Sequence, residues 1–382
     1  MRTPWPLGFD LGRFTDALTP ALVIRLDAVR RNLSRMIAAA RGCDRLRMHV
    51  KSAKLRIVFD EAIAAGITHY KCATTREAEC LLDACDAAGF ACDLLVAYPH
   101  RGANLRRIVD IARAHPASRV SVLIEDTGNL DHDLDVFLDV NAGMNRTGIP
   151  VDSSELVLAC AKAAGERFRG LHYYEGHVCK GTFAERCRQA APLLDRLVSL
   201  VRLLEDRGRE VREVITSGTP SLMPALAHPG LAELDATKHR VSPGTLVYFD
   251  ARSAECEELD YEFAAFVLSS VVSHPAAGIV TVDAGSKALA AEAGSPVAIT
   301  PEWPGLAART PSEEHLPFDV VSGESPSRGT LVALVPRHVC PTVNLAEAAW
   351  VIDDEREPRT LRAADVTARA HELHERLASQ AR

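Results

Sequence analysis

Four short segments of this sequence place reactive side chains at the ends of apolar runs. The first ends at Lys51, which follows His49 in a run with the character of a β-strand. A lysine in a pocket that excludes water loses its solvation shell, and its free amine can then attack an aldehyde. A surface lysine at a strand end is the alternative. This segment alone leaves both interpretations open.

Two loops could bind anionic oxygens. Residues 141–148 follow an apolar run and hold Arg146 between two glycines, where a guanidinium could approach an anionic oxygen. Residues 215–221 follow another apolar run, and small hydroxyl residues with exposed backbone N–H groups suit a phosphate dianion. The candidate residues of this second loop are Ser217, Gly218 and Thr219. An ordinary loop is the alternative at both places.

A possible metal-binding pair lies near the C-terminus. His338 and Cys340 are two residues apart, and residues i and i+2 of an extended segment face the same side. An imidazole and a thiolate together favour Zn²⁺. A buried cysteine beside an unrelated histidine is the alternative for an isolated pair of this kind.

The elements that would position these residues alternate between strand and helix from about residue 20 to 250. About eight such units indicate a (β/α)8 TIM-type barrel, whose active site lies at the carboxyl ends of its strands. The predicted strands cover residues 21–26, 47–51, 69–74, 93–97, 120–124, 136–140, 170–174, 214–217 and 247–250. The predicted helices cover residues 28–40, 52–65, 76–87, 103–114, 153–164 and 184–204.

From about residue 260 the alternation stops, and strand-like runs are joined by turns rich in proline and glycine. This pattern predicts a second, smaller, mostly antiparallel β domain that carries the His338/Cys340 pair. We assign residues 20–255 to the barrel, and residues 1–19 and 256–382 to the β domain. The tail, residues 363–382, is predicted to be helical. The predicted strands of this domain cover residues 262–273, 278–283, 317–321, 330–335 and 348–352.

Composition excludes several classes of function. The chain is 47% hydrophobic and 25% charged, which is ordinary for a globular protein. A net charge of −7 argues against nucleic-acid and membrane-surface partners, which usually require a basic face. The N-terminus lacks the apolar stretch of a secretory signal, so the ten cysteines are expected to be reduced in a cytoplasmic protein.

The segments together, in this order, resemble the fold-type III pyridoxal 5′-phosphate (PLP) enzymes with an alanine racemase-like barrel. Within them, the chain most resembles the D-threonine aldolase and D-serine dehydratase family, from about residue 19 to 352. The resemblance implies that Lys51 forms a Schiff base with PLP, that Arg146 lies near the cofactor's phenolic oxygen, and that Tyr174 belongs to the strand lying against the pyridine. It also implies that the phosphate is bound by Ser217, Gly218, Thr219 and Tyr248, and a metal by His338 and Cys340.

The chain departs from the family at several positions. Ser52 and Ala53 follow Lys51 where the family usually has threonine and histidine. Alanine racemases carry an arginine where this chain has Ser242, which disfavours racemisation. Cys340 follows the dehydratases, whereas the Pro-Thr-Val-Asn after it is more typical of the aldolases.

The resemblance implies a PLP- and divalent-metal-dependent lyase that acts on D-3-hydroxy amino acids. Retro-aldol cleavage to glycine and an aldehyde is favoured, with His177 as the base that removes the β-hydroxyl proton. The alternative is β-elimination to a 2-oxo acid and ammonia, with Lys51 removing the Cα proton. Zinc is the favoured metal, with manganese and magnesium as alternatives. A homodimer is expected. An amino-acid racemase and a non-catalytic PLP carrier are lesser alternatives.

Overall fold

The computed structural model describes residues 6–234 and 238–372, which form eighteen strands and nine helices as well as short 3-10 turns. The strands are β1 (Ala21–Arg25), β2 (Arg47–His49), β3 (His69–Cys72), β4 (Asp93–Pro99), β5 (Arg119–Ile124), β6 (Asp135–Asn141), β7 (Ile149–Pro150), β8 (Phe168–Tyr173), β9 (Glu213–Thr216), β10 (His239–Val241), β11 (Ala265–Ser273), β12 (Ile279–Val282), β13 (Ala298–Ile299), β14 (Leu306–Ala308), β15 (Leu316–Val320), β16 (Leu331–Pro336), β17 (Ala348–Asp353) and β18 (Glu357–Asp365). The helices are α1 (Leu26–Ala40), α2 (Arg56–Ala64), α3 (Thr75–Ala87), α4 (Gly102–Ala114), α5 (Ser154–Ala164), α6 (Phe183–Asp206), α7 (Leu222–Ala227), α8 (Pro229–Ala232) and α9 (Val339–Leu345).

The described residues divide into two compact units. The sheet unit comprises residues 6–34, 52–58 and 245–367, and the barrel unit comprises the rest of the described chain. None of the helices in the described part of the chain is both long and apolar enough to cross a membrane.

Eight parallel strands make up the barrel, in the order β10-β9-β8-β6-β5-β4-β3-β2, with the two-residue β7 paired to β6. A parallel bridge between Leu46 and Val241 connects the two ends of this sheet, so that the barrel is nearly closed. The helices between the strands follow local signals. Helix α6, for example, begins with a capping box in which Thr182 and Glu185 satisfy each other's backbone N–H groups. The predicted (β/α)8 class is confirmed.

The barrel interior is filled in layers, because alternate residues of each strand point inward. At the amino ends of the strands, the fully buried Arg47 donates to Glu213 at 2.6 Å and to Asp93 at 2.9 Å. Arg169 adds ion pairs with Asp93 and Asp135. An apolar layer of Leu95, Leu123, Phe137 and Ile215 follows. The next layer, at the carboxyl ends of the strands, contains the candidate site.

The sheet unit contains the second sheet, in the order β14-β15-β12-β11-β1-β17-β18, with β16 paired to β11 and β13. Strands β1 and β17 are parallel, and the other pairs in this sheet are antiparallel. One face covers an apolar core that includes Val282, Leu316, Phe318 and Leu334. The predicted, mostly antiparallel β domain is confirmed.

Two predicted barrel strands are wrong. Residues 21–26 form β1, which belongs to the second sheet and not to the barrel. Residues 247–250 form no strand, since the chain there follows the 3-10 turn Thr245–Val247. The eighth barrel strand is β10, whose short run of histidine, arginine and valine lacks an apolar signal. An apolar run indicates a buried strand, but it does not indicate which sheet the strand joins.

The unit boundaries also differ from the predicted ranges. Residues 21–34, 52–58 and 245–255 belong to the sheet unit and not to the barrel, because β1 carries the chain before α1 into the second sheet. The predicted tail helix begins inside β18, and residues 366–372 contain no helix. Residues 373–382 of that prediction lie outside the described residues. The six predicted helices between residues 28 and 204 are present as α1 to α6.

Candidate active site

Lys51 follows the carboxyl end of β2 and is partly exposed in the barrel unit. The strand holds this segment in place, because Val50 donates its backbone N–H to the carbonyl of Lys71 at 2.8 Å. His49 faces the same side of the strand and is buried. Burial, together with the charges of Lys51 and Lys71, holds the pKa of His49 well below its usual value. The imidazole beside Lys51 is therefore neutral.

The turn from Ser217 to Thr219, called the hydroxyl turn below, has unsatisfied polar groups. Ser217 Oγ and Thr219 Oγ1 are buried and have no hydrogen-bond partner among the described residues. Ser217 also has a left-handed backbone, with φ of +64°, and its N–H donates to Glu175 at 3.3 Å. A side chain at Gly218 would place its Cβ 2.9 Å from the ring of Tyr174. The turn thus offers two buried hydroxyl groups with unused hydrogen-bonding capacity beside an aromatic ring.

Arg146 lies over the ring of Tyr174, with its guanidinium carbon 4.9 Å from the ring centre. The loop that carries Arg146 is organised by Asn141, whose side-chain oxygen accepts the N–H groups of Gly143 and Asn145. Gly148 has φ of +102°, and a Cβ there would lie 2.8 Å from a backbone nitrogen of β6. Glycine is therefore required at 148, and the loop returns tightly to the barrel.

A chain of three buried polar groups lies in the same part of the barrel. The amine of Lys71 lies 3.3 Å from Nε2 of His172, and Nδ1 of His172 lies 2.8 Å from Asp139. Sequence reasoning missed these residues. Side chains alternate between the two sides of a strand, so Lys71 lies on the same side of β3 as His69. That alternation could have identified Lys71 as a residue of the barrel interior.

His338 and Cys340 lie in the sheet unit at the start of α9. The predicted extended conformation is wrong beyond His338: the helix begins at Val339, and its first turn accommodates Pro341 because proline is tolerated there. His338 is the extended residue before the helix, and its Nδ1 contacts Glu292. Burial lowers the pKa of His338, but the hydrogen bond and charge of Cys340, together with Glu292 and Asp250, outweigh it and raise the pKa to about 9.

The two donors therefore converge despite the helix. The sulfur of Cys340 also contacts Ser52 Oγ at 2.9 Å and Thr245 Oγ1 at 3.4 Å. Within residues 6–234 and 238–372, no group of three or more histidine, cysteine or acidic side chains is arranged to hold a metal. An imidazole and a thiolate are nevertheless two donors of the kind that bind zinc.

Two family models match this chain. Residues 24–252 match the alanine racemase N-terminal domain, and residues 264–352 match the serine dehydratase domain. A D-threonine aldolase from an Arthrobacter species is 32% identical over 363 residues, which cover 88% of this chain and 89% of the relative. The chain belongs to the D-threonine aldolase and D-serine dehydratase family, with its alanine racemase-like barrel.

Two further relatives place this family member among enzymes of similar architecture. The D-threo-3-hydroxyaspartate dehydratase of Delftia sp. (strain HT23) is 29% identical over 301 residues, covering 72% of this chain and 74% of the relative. The crystal structure of D-threonine aldolase from Filomicrobium marinum superposes with a TM-score of 0.79 at 27% identity, over 97% of this chain and 98% of that one. The chain is a PLP-dependent lyase of this family.

The residues of the barrel unit fit PLP. Lys51 supplies an amine, the hydroxyl turn has unsatisfied donors for a phosphate, and Arg146 supplies a cation next to the aromatic face of Tyr174. Each of these groups was expected from the sequence.

The two remaining sequence candidates lie as follows. His177 is exposed in the barrel unit, and its ring lies 3.8 Å from the position a Cβ would take at Gly143, so it borders the Arg146 loop. Tyr248 is fully buried in the sheet unit, where its hydroxyl donates to the carbonyl of Ala53 at 2.7 Å. Burial raises the pKa of Tyr248 well above its usual value, so the hydroxyl stays protonated and can donate.

Proposed function

We propose that this chain cleaves D-3-hydroxy amino acids by a retro-aldol reaction, giving glycine and an aldehyde, with PLP and a divalent metal as cofactors. The observation that carries the metal-dependent lyase part of this proposal is the convergence of His338 and Cys340 at the start of α9. A racemase with the same barrel has no use for such a pair. The D-threonine aldolases among the relatives support the carbon–carbon outcome.

The roles of the side chains follow from their chemistry. When bound, the cofactor supplies an electron sink for charge at Cα, and the metal supplies a Lewis acid for the β-hydroxyl. Lys51 would hold the cofactor's aldehyde, and the hydroxyl turn would donate to its phosphate. Arg146 would place a positive charge next to an anionic oxygen. His177, which borders the Arg146 loop, would accept the β-hydroxyl proton.

Metal-assisted β-elimination is the second candidate, and Cys340 is the observation that favours it. Cysteine at this position is typical of the dehydratases, and one solved structure of a D-threo-3-hydroxyaspartate dehydratase is a cysteine-to-alanine variant described as the metal-free form. In that case Lys51 would remove the Cα proton, and the products would be a 2-oxo acid and ammonia.

The test is incubation with D-threonine, D-serine and D-3-hydroxyaspartate, with and without added Zn²⁺, Mn²⁺ or Mg²⁺. Glycine and an aldehyde are expected as products, and ammonia with a 2-oxo acid would establish the elimination instead. Inversion at Cα with neither product, unaffected by a chelator, would support a racemase. An intact PLP absorbance without turnover would support a carrier.

Variants separate the contributions. Lys51→Ala is expected to lose the absorbance of bound PLP together with activity, and retention of that absorbance would contradict the whole scheme. His338→Ala and Cys340→Ala are expected to keep the cofactor absorbance and lose activity with metal. His315→Ala alters an exposed histidine of the sheet unit and is the matched control, with activity expected to be unchanged.

A further inference from the structure

A lysine inside the barrel has no place in the mechanism above. Lys71 is only 3% exposed, and its hydrogen-bond partner His172 and the next residue in the chain of contacts, Asp139, are 6% and 3% exposed. Three different strands, β3, β8 and β6, bring these groups together. Burying an amine is unfavourable unless it is paired, and an apolar side chain would fill the same space without that cost. Such a group is therefore a candidate for function.

The charge states along the chain follow from the contacts. Burial raises the pKa of Asp139, but the hydrogen bond and charge of His172, together with Thr147 and Arg146, outweigh it. The net pKa is lowered, so Asp139 is ionised. Burial and the charge of Lys71 lower the pKa of His172, so its imidazole is neutral. The ionised Asp139 accepts the proton on Nδ1, which leaves Nε2 free of hydrogen to accept from Lys71. Asp139 thereby orients His172 toward the amine.

The register places Lys71 next to the segment that carries Lys51. Lys71 pairs with His49 across β2 and β3, and its carbonyl accepts from Val50, directly before Lys51. His172 precedes Tyr174 by two residues, so both rings face the barrel interior. The amine of Lys71 lies 5.9 Å from the centre of the Tyr174 ring. Lys71 thus lies one layer inside the proposed cofactor site.

The surroundings of Lys71 lower the pKa of its amine. Burial, followed by the charges of Lys51 and Arg47, lowers the pKa of Lys71 to about 7, against the opposing effect of Asp139 and Glu175. Lys71 is therefore close enough to Lys51 for their charges to repel. The titratable and charged groups that face it from the neighbouring strands and loops are Arg47, His49, Lys51, Asp139, His172 and Glu175.

We propose that Lys71 is a positioning residue of the cofactor site: held by Asp139 and His172, it places a second positive charge beside Lys51 and so disfavours the protonated form of the linkage between Lys51 and PLP. This inference rests on the proposed role of Lys51, and not on which carbon bond the enzyme breaks. Two like charges at close range typically move a titration by about one pH unit or more. An effect of that size would determine how much of the bound cofactor is in the reactive form at neutral pH.

The test is Lys71→Met in the PLP-loaded full-length enzyme, with the absorbance of bound PLP recorded as a function of pH. Methionine fills a similar volume without a charge. We expect the pH midpoint of the absorbance change to rise by about one unit or more, because the neighbouring charge is gone. Lys71→Arg keeps a permanent charge, and its midpoint is expected at or below that of the wild type.

Arg240→Met is the matched control, because Arg240 is a similarly buried cation at the opposite, amino-terminal end of the barrel. It is expected to lower stability and leave the midpoint unchanged. His172→Phe removes the group that accepts from Lys71 and is expected to raise the midpoint by less than Lys71→Met does. If Lys71→Met does not fold, the pH midpoint of His172→Phe tests the proposal instead: a raised midpoint supports it and a wild-type midpoint contradicts it.

A wild-type midpoint in the folded lysine and histidine variants would overturn the proposal and assign Lys71 a purely structural role. Failure of the wild-type protein to bind PLP at all would instead overturn the proposed cofactor site. The two failures are therefore distinguishable, and neither depends on finding the substrate.

Discussion

At the level of single residues, the hydroxyl turn has two features that are unusual in a buried loop. Most buried polar atoms in proteins have a hydrogen-bond partner. Ser217 Oγ and Thr219 Oγ1 have none among the described residues, and the backbone of Ser217 is left-handed as well. Both features cost stability. A phosphate that supplied the missing partners would offset the cost of the two hydroxyl groups.

The first prediction concerns these two hydroxyl groups. Hydrogen bonds to a charged group contribute about 1.5–3 kcal/mol each, so replacing Ser217 and Thr219 together by alanine should raise the Kd for PLP at least tenfold. Titration of the apoenzyme with PLP measures this. Ser199→Ala removes an exposed hydroxyl on α6 and is the control, with no expected change. An unchanged Kd in the double variant would remove the turn from the phosphate site.

The second prediction concerns Glu175, which lies next to the hydroxyl turn. Burial raises the pKa of its carboxyl from 4.5 to about 7, against the opposing hydrogen bonds from Ser221 and Ser217. Between these two values the folded chain keeps a proton that the unfolded chain releases. The protonated carboxyl of Glu175 therefore stabilises the folded protein fully below about pH 4.5, and this contribution is lost as the pH rises through about 7.

Glu175→Gln should remove this dependence, because glutamine does not titrate. From pH 5 to pH 8, the wild type is expected to lose about 2–3 kcal/mol of unfolding free energy relative to the variant, as measured by urea unfolding. The exposed Glu210→Gln should follow the wild type. Parallel pH curves for the wild type and Glu175→Gln would show that the carboxylate is ionised in the folded protein.

At the level of elements, periodicity identified the helices well and the strands less well. Helices α1 to α6 were predicted because apolar residues recur at helical spacing over nine residues or more. Strand β10 was missed because three residues carry too little pattern. Helix α2 begins at Arg56, later than predicted, and Lys54 before it has a left-handed backbone that no helix continues through.

The third prediction tests strand packing at Gly170 in β8. A Cβ at this position would lie 1.8 Å from the carbonyl oxygen of Glu213 on the neighbouring β9. Gly170→Ala must therefore separate the two strands, at a cost of about 3 kcal/mol or more by urea unfolding. Gly208→Ala also replaces a glycine of positive φ but meets open space, and about 1 kcal/mol is expected. Equal losses of unfolding free energy in the two variants would show that β8 and β9 can move apart without a cost in stability.

At the level of the whole molecule, the groups proposed for the cofactor and the groups proposed for the metal belong to different compact units. Lys51, Arg146 and the hydroxyl turn belong to the barrel unit, whereas His338 and Cys340 belong to the sheet unit. The two contributions can be separated by chemistry. The cofactor should bind through the barrel residues, and the metal should bind through the pair before and within α9.

The fourth prediction follows from this division. Dialysis of the PLP-loaded enzyme against a strong chelator should reduce the rate of product formation about 100-fold or more, because the Lewis acid is removed. The absorbance of bound PLP should stay intact. Addition of Zn²⁺, Mn²⁺ or Mg²⁺ should restore the reaction and rank the three metals. Full activity after chelation would exclude a metal-dependent lyase.

A homodimer stays a prediction, which light scattering of the intact chain would test.

The sequence by itself determined the fold class, the family and most candidate residues, because these depend on local pattern and on ordered motifs. Lys51, Arg146 and His338, for example, could be selected because each lies next to a predicted strand or loop, and such elements are recognisable from neighbouring residues. The sequence could not decide that β1 joins the second sheet, since an apolar strand satisfies its backbone equally well in either sheet. It also could not decide that His338 and Cys340 converge at a helix start.

Only the tertiary structure revealed the chain from Lys71 through His172 to Asp139. These residues are 33 to 101 positions apart, and no local pattern connects them. Closing the barrel brings their strands together and excludes water, which lowers the pKa of Lys71 to about 7. A lysine at position 71 is an ordinary strand residue in the sequence. Its burial beside a second amine is what makes it a candidate for function.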